Sequence, residues 1–239
     1  MRTIALVTLL MIGLFFGLPY HRYMGKVRKT NPDKAWEMGR KYVSGYFKAG
    51  LFVCRAKVNV LCKENIPDEA CLFVGNHRSY FDILISHEAI KRPAGFVAKK
   101  EMLKVGLLAL YMKDISCLFL DRNDIKQGLE TMNKGGELLK QGHSMILFPE
   151  GTRSQQEGML PFKEGGYKMA EKAKCPIVPF AITGSDLLLE SRPKKGRFKK
   201  VNVTIEFAKP IYPTQMAPKD RKAMYAQIPD IIQGMKDNH

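Results

Sequence analysis

Residues 71–91 read CLFVGNHRSYFDILISHEAIK, and this stretch decides how the chain is built. It opens on the apolar run Cys71-Leu72-Phe73-Val74, turns polar through Asn76-His77-Arg78-Ser79, and becomes amphipathic from Asp82. A short apolar run bounded by turn residues reads as a buried strand, and the longer segment after it as a helix. The same alternation recurs on both sides. Strands are expected at 57–63, 71–76, 95–98, 117–121, 145–148, 177–183 and 201–207, with helices at 82–91, 100–112, 124–141 and 164–174. Strands separated by helices of ~10–15 residues build βαβ units. The expected fold class is therefore α/β, a mixed and largely parallel β-sheet flanked by helices. Residues 201–207 alternate apolar and polar, as a half-exposed edge strand would. In the last amphipathic stretch, which carries Met224, Ile228, Ile231 and Met235, Pro229 is expected to break the helix in two.

The chain has 239 residues, 45% of them hydrophobic, which is enough for a sizeable core and excludes a disordered chain. Lys and Arg number 39 against 23 Asp and Glu, a formal net charge of +16. Such an excess points to an anionic partner: nucleic acid, an anionic membrane or a phosphorylated substrate. Five cysteines form no C-x-x-C pair and lie among apolar neighbours, so they read as buried thiols rather than a disulfide framework or a metal site.

Residues 3–20, TIALVTLLMIGLFFGLPY, carry no charge. At ~1.5 Å per residue a helix of this length covers ~27 Å, close to a ~30 Å hydrocarbon core. No small-x-small cleavage site follows, which argues against a secretory signal peptide. Arg22, Lys26, Arg28 and Lys29 come directly after and would keep the bulk of the chain on the cytoplasmic face of the membrane. A second amphipathic helix is expected over 33–55, with Asp33 as its N-cap. Residues 1–56 are thus read as a membrane-anchoring helical hairpin and 57–239 as an α/β domain. Two placements of the hairpin fit: both helices in one leaflet, or a true span by the first.

In α/β sheets, ligands gather where strands end and helices begin. Three such junctions carry polar residues that a fold alone does not require. In the first, His77 and Asp82 are five residues apart, so they can meet only if the strand ends near His77 and a helix starts near Asp82. Asp82 would then fix the imidazole tautomer and leave the other ring nitrogen as a general base. An N-capping Asp beside an incidental loop His is the plainer alternative. The second junction is Phe148-Pro149-Glu150-Gly151-Thr152-Arg153-Ser154, where a glycine admits a ligand to the backbone and Arg153 can grip a phosphate. It lacks the spacing of a phosphate-binding P-loop. The third is Phe119-Leu120-Asp121-Arg122; Arg122 is either a second cation for the same phosphate or a partner of Asp121 or Asp124.

Taken in order, His77-x4-Asp82, Phe119 to Arg122, Phe148 to Ser154 and Val178-Pro179-Phe180-Ala181-Ile182 resemble the glycerolipid acyltransferases, in particular the bacterial lysophosphatidic acid acyltransferases. The resemblance implies that His77 deprotonates the hydroxyl of a lysophospholipid, with Asp82 orienting the imidazole. It implies that Arg122, Glu150, Gly151 and Arg153 position the glycerol phosphate, and that Val178 and Pro179 shape the acyl or acceptor pocket. Lys100 would add to phosphate attraction, or be a solvated surface lysine. The acyl donor would be a thioester of acyl-carrier protein or coenzyme A, with no metal and no other cofactor. The acceptor would be lysophosphatidic acid, or another lysolipid or glycerol 3-phosphate. The expected location is the cell membrane.

A non-enzymatic alternative is a basic protein that binds anionic membrane. Residues 192–200, RPKKGRFKK, support it with six cations and no acid. Aromatic interleaving is limited to Phe198 and no helix-turn-helix or RNP motif is present, so nucleic acid is not an expected partner.

Overall fold

Seven runs rich in β-branched, aromatic and leucine side chains pair into one sheet: β1 (Ala56–Leu61), β2 (Leu72–Gly75), β3 (Ala94–Lys99), β4 (Leu118–Leu120), β5 (Ser144–Leu147), β6 (Ile177–Thr183) and β7 (Val201–Phe207). These are seen in a computed structural model that describes residues 2–156, 158–191 and 200–239. The strand order is β1-β7-β6-β2-β5-β3-β4. All pairings are parallel except β6 with β7. The mixed, largely parallel α/β sheet is therefore as expected.

The central strands show why. Along β2, Phe73 enters one apolar core while Leu72 and Val74 enter the other. Ile146 in β5 and Val178, Phe180 and Ile182 in β6 join the first core; Met145, Leu147, Ile177 and Ala181 join the second. Burial on both faces needs apolar side chains at every position, and helices supply the cover. Helix α1 spans Arg2–Phe16, α2 Leu18–Thr30, α3 Pro32–Val53, α4 Phe81–Ile90, α5 Gly106–Asp114, α6 Ile125–Lys140, α7 Lys168–Ala173 and α8 Pro218–Asp237. Helices α3 and α4 contribute Leu51, Phe81, Ile85, Ala89 and Ile90 to the first core, whereas α6, α7 and α8 supply Met132, Leu139, Met169, Ile228 and Ile232 to the second.

Several local expectations are corrected. Strand β7 alternates in burial but lies between β1 and β6, so β1 takes the edge. Residues 100–112 are not one helix: a 3-10 turn over Lys100–Lys104 ends at Val105, and α5 starts at Gly106, whose φ is 40°. Helix α8 continues through Pro229. The lost hydrogen bond costs ~3 kcal/mol, while completely burying Ile228 and Ile232 gains ~1.5–3 kcal/mol each.

The N-terminal region holds three helices, because the basic collar is itself helical as α2. Helices α1 and α2 meet at Gly17, and α3 packs back against both. A Cβ on Gly17 would stand 1.9 Å from the Tyr42 hydroxyl and 2.5 Å from that of Tyr111. Those hydroxyls donate to the carbonyls of Gly13 at 2.6 Å and Leu14 at 2.9 Å, satisfying backbone at the break. Below it, buried Asp114 of α5 accepts from Arg28 at 2.7 Å and contacts His21 Nδ1 at 2.5 Å. Among the described residues no single helix is long and apolar enough to cross a membrane. By length and composition alone α1 and α2 would pass together, but they are bent by 51°. One side of α1 leaves Ile4, Val7, Met11, Phe15 and Phe16 more than half exposed. Of the basic segment 192–200, residues 192–199 lie outside the described residues.

Candidate active site

Strand β2 ends at Gly75, whose ideal Cβ would fall 2.3 Å from the Phe180 ring, so only a glycine lets β2 and β6 close here. The next residue, buried Asn76, donates to the Ile182 carbonyl at 2.9 Å and accepts from the Ile182 amide at 2.8 Å. This amide bracket fixes the last point of regular backbone before the turn. The chain then crosses Asn76 to Tyr80 and enters α4 at Phe81.

Asp82 lies in the first turn of α4, fully buried, where the helix N-terminus favours a carboxylate. Its Oδ2 accepts the backbone amides of Arg78 and Ser79 at 2.7 Å each. The same oxygen stands 2.9 Å from Nδ1 of His77. An ionised carboxylate only accepts, so Nδ1 carries the proton and Nε2 keeps its lone pair. The His77 side chain retains 15% exposure, and its Nε2 has no hydrogen-bond partner among the described residues. Phe148 stacks on the imidazole with centroids 4.3 Å apart and planes 16° off parallel, which holds the ring in place.

Glu150 was expected beside the phosphate, but its carboxylate is turned to the backbone. One oxygen accepts the His77 amide at 2.6 Å and the other the Leu160 amide at 2.7 Å. Burial pushes this carboxyl above its ordinary range, against the pull of those two amides. The Ser154 amide completes the clamp by donating to the His77 carbonyl at 2.8 Å. The loop after β5 thus grips the His77 backbone from both sides.

Arg122 follows β4, and its guanidinium packs over Gly151, whose ideal Cβ would meet its Cζ at 3.3 Å. Gly151 has φ 75°, a conformation that favours glycine. Partial burial lowers the Arg122 pKa, yet a guanidinium remains charged. The expected alternative, a pair with Asp121 or Asp124, is not formed: Asp121 binds Lys100 instead, at 3.0 Å. The Asn123 amide, and then that bond, lower the Asp121 carboxyl pKa, and the bond raises that of Lys100. Lys100 is therefore held by a carboxylate.

Arg122, Gly151, Lys163 and Lys168 line a cleft of about 330 Å³ whose other walls include Leu120, Ile125, Met132, Leu147 and Phe148. Arg153 lies elsewhere. With Arg78, Ser154, Asp186 and Glu190 it lines a polar cleft of about 310 Å³. The two clefts share no lining residue but adjoin His77, one through its stacking partner Phe148 and the other through its neighbour Arg78. Val178 and Pro179, expected to shape a pocket, are buried in β6. Val178 packs in the first core, and the Pro179 carbonyl accepts the Ala208 amide at 2.9 Å. They support the sheet from within. No group of three or more His, Cys, Asp or Glu among the described residues is placed to hold a metal ion.

The supporting roles of three residues escape sequence reading. Asn76 gives one signal, its place directly before the histidine. Phe148 gives its place in the 148–154 motif but not its stacking on His77, and Glu190 gives none: it accepts from Ser79, 111 residues earlier.

Comparisons with known proteins bear on the region that holds this site. The family model described as Acyltransferase matches residues 57–183, which contain every element of the site named so far except Asp186 and Glu190. The chain is 36% identical over 158 residues to a probable 1-acyl-sn-glycerol-3-phosphate acyltransferase of Mycoplasma pneumoniae, covering 64% of this chain and 58% of that protein. It is 32% identical over 199 residues to the 1-acyl-sn-glycerol-3-phosphate acyltransferase of Saccharomyces cerevisiae, covering 80% and 65%. To the Mycoplasma genitalium counterpart it is 35% identical over 192 residues, covering 76% and 71%. The match spans less than two thirds of the length of the first two relatives. The crystal structure of the 1-acyl-sn-glycerophosphate (LPA) acyltransferase PlsC from Thermotoga maritima superposes with a TM-score of 0.70 at 26% identity, covering 97% of this chain and 95% of that one. Sequence and fold agree, and the chain belongs to the acyltransferase family.

Proposed function

We propose that the protein transfers a fatty acyl group from a thioester donor to the sn-2 hydroxyl of lysophosphatidic acid, giving phosphatidic acid for phospholipid synthesis. The observation that carries this reading is the buried Asp82 carboxylate 2.9 Å from His77 Nδ1, which leaves Nε2 as the free base of the pair. The names of the relatives supply the acceptor class.

In this reading Nε2 takes the proton of the acceptor hydroxyl as its oxygen attacks the thioester carbonyl. The tetrahedral intermediate collapses, the C–S bond breaks, and the imidazolium returns its proton to the leaving thiolate. General-base assistance of this kind contributes ~10²–10⁴-fold. Fixing the hydroxyl against Nε2 contributes further through orientation. Asp82 stabilises the imidazolium without itself being protonated. Arg153, Arg122 and the Gly151 backbone position the glycerol phosphate, and Glu150 holds the loop that presents Gly151 and Arg153. Lys100 contributes general positive charge. Val178 and Pro179 back the acceptor site from the sheet. Acyl-carrier protein or coenzyme A carries the acyl group, and no metal or further cofactor takes part.

The same proposal places the enzyme on the cytoplasmic face of the cell membrane. Its support is the apolar side of α1 followed by Arg22, Lys26, Arg28 and Lys29 on α2. Sedimentation with anionic vesicles tests it: Phe15→Ser together with Phe16→Ser should leave most of the protein in the supernatant.

For the activity, purified protein with lysophosphatidic acid and each of the two acyl thioesters should yield phosphatidic acid, and His77→Ala should abolish the product without unfolding the chain. Retained turnover in that variant overturns the assignment of the base.

A further inference from the structure

Glu190 stands outside every motif read from the sequence, yet it is bonded to the two segments that build the site. It follows the 3-10 turn Ser185–Leu188 that comes after β6. Its carboxylate accepts from Ser79 Oγ at 2.7 Å, from the Tyr80 amide at 2.9 Å and from an Arg153 guanidinium N–H at 2.9 Å. The Arg153 guanidinium also lies 3.5 Å over the Tyr80 ring. So the arginine of the loop after β5 is parked on the turn that precedes Asp82, and Glu190 is what parks it.

We infer that Glu190 is an exchangeable partner of Arg153, a carboxylate that holds the guanidinium as a phosphate monoester would and releases it when that phosphate binds. The inference deepens the proposed function and rests on its reading of Arg153 as a phosphate ligand. The physical case is one of competing anions. A carboxylate offers Arg153 one negative charge and two acceptor oxygens, whereas a phosphate monoester offers ~1.5–2 charges and three oxygens at neutral pH. The monoester is the stronger partner for the same fork of N–H groups. The Arg153 and Glu190 side chains are 23% and 24% exposed, so a ligand can reach the pair and the exchange needs no unfolding. Glu190 does not leave with the exchange, because Ser79 Oγ and the Tyr80 amide still hold it. Held there, it recaptures Arg153 when the ligand departs.

A purely architectural role predicts the opposite sign. If Glu190 only ties the Ser79–Tyr80 turn in place, any replacement loosens the site and weakens phosphate binding. Glu190→Gln separates the two cases, since an amide can accept from Tyr80 and donate to Ser79 Oγ while carrying no charge.

Calorimetric titration of the full chain with sn-glycerol 3-phosphate is the test. Glu190→Gln should bind it about two- to fivefold more tightly than the wild type, the range of a partly exposed ion pair. Glu190→Asp, which keeps the charge, should stay near the wild type. In an Arg153→Gln background the gain should vanish, because the effect runs through the guanidinium. Unchanged or weaker binding in Glu190→Gln overturns the inference, as does a gain that persists without Arg153. Acyl transfer to lysophosphatidic acid on the same preparations reads the proposed function separately. Transfer with no gain in binding overturns the role of Glu190 alone. The gain without transfer upholds that role and overturns the acyl-transfer reading.

Discussion

Nδ1 of His77 lies 2.9 Å from Oδ2 of Asp82, and that one oxygen also receives the amides of Arg78 and Ser79. The arrangement is economical in backbone: the turn that carries the histidine folds its own N–H groups onto the carboxylate that orients the ring. Charge on Asp82 is therefore shared between holding the turn and fixing the tautomer. The other oxygen, Oδ1, is buried and has no hydrogen-bond partner among the described residues. Substitutions can separate the two duties.

Asp82→Asn keeps an oxygen for the Arg78 and Ser79 amides and fits the same volume, so the turn should fold. It removes the charge that favours Nδ1–H and supports the imidazolium. The expected result is a kcat for acyl transfer lower by about a thousandfold or more, with little change in acceptor KM. Steady-state kinetics beside a thermal melt check both halves. A variant that melts like the wild type and turns over like it would remove Asp82 from the mechanism.

Glu150 makes a prediction about stability and pH. Its carboxylate, 4% exposed, satisfies two backbone amides, and Glu150→Ala leaves both without a partner. The expected cost is about 2–4 kcal/mol, read as a lower urea midpoint. Burial raises this carboxyl above its ordinary value of 4.5, so the folded protein holds the proton more tightly than the unfolded chain. By linkage its contribution is fully present below 4.5 and declines as pH climbs through the raised value. Wild-type stability should therefore carry a falling component across that window which Glu150→Gln lacks. Urea midpoints of the two proteins measured across the window should converge or diverge accordingly; parallel curves would contradict the linkage.

Much of this architecture is legible in the chain because it is local. The βαβ alternation survives in hydrophobic runs that are each buried on both faces, and β2 shows it in four residues. The His77–Asp82 contact is legible for a similar reason: a five-residue separation has few geometries, and one strand end with one helix start satisfies it. What stays hidden depends on distant partners. Nothing near Glu150 announces that its oxygens face the amides of His77 and Leu160 rather than a ligand. Nothing around 201–207 says that β1 covers its flank, since half-burial looks alike at an edge and beside an edge strand. The helical collar and the break at Gly17 belong to the same class, because the residues that decide them sit on α3 and α5.

The break at Gly17 gives the last prediction. Two tyrosine hydroxyls from different helices occupy the space that a side chain would need, Tyr42 at 1.9 Å and Tyr111 at 2.5 Å from the ideal Cβ. Each also serves a carbonyl of the α1 turn, so neither can swing away without leaving that group to find water. Gly17→Ala forces one of these bonds to open or α1 to shift from α3. Overpacking of this kind costs about 1–3 kcal/mol, and the lower melting temperature should be read in detergent or bound to vesicles. Removing the obstructing oxygen should recover part of the loss. Gly17→Ala combined with Tyr42→Phe is therefore expected to be more stable than the sum of the two single changes, a coupling that a double-mutant cycle measures directly. Additive losses would mean that the two residues do not share the contact, and that the bend between α1 and α2 is set by Pro19 alone.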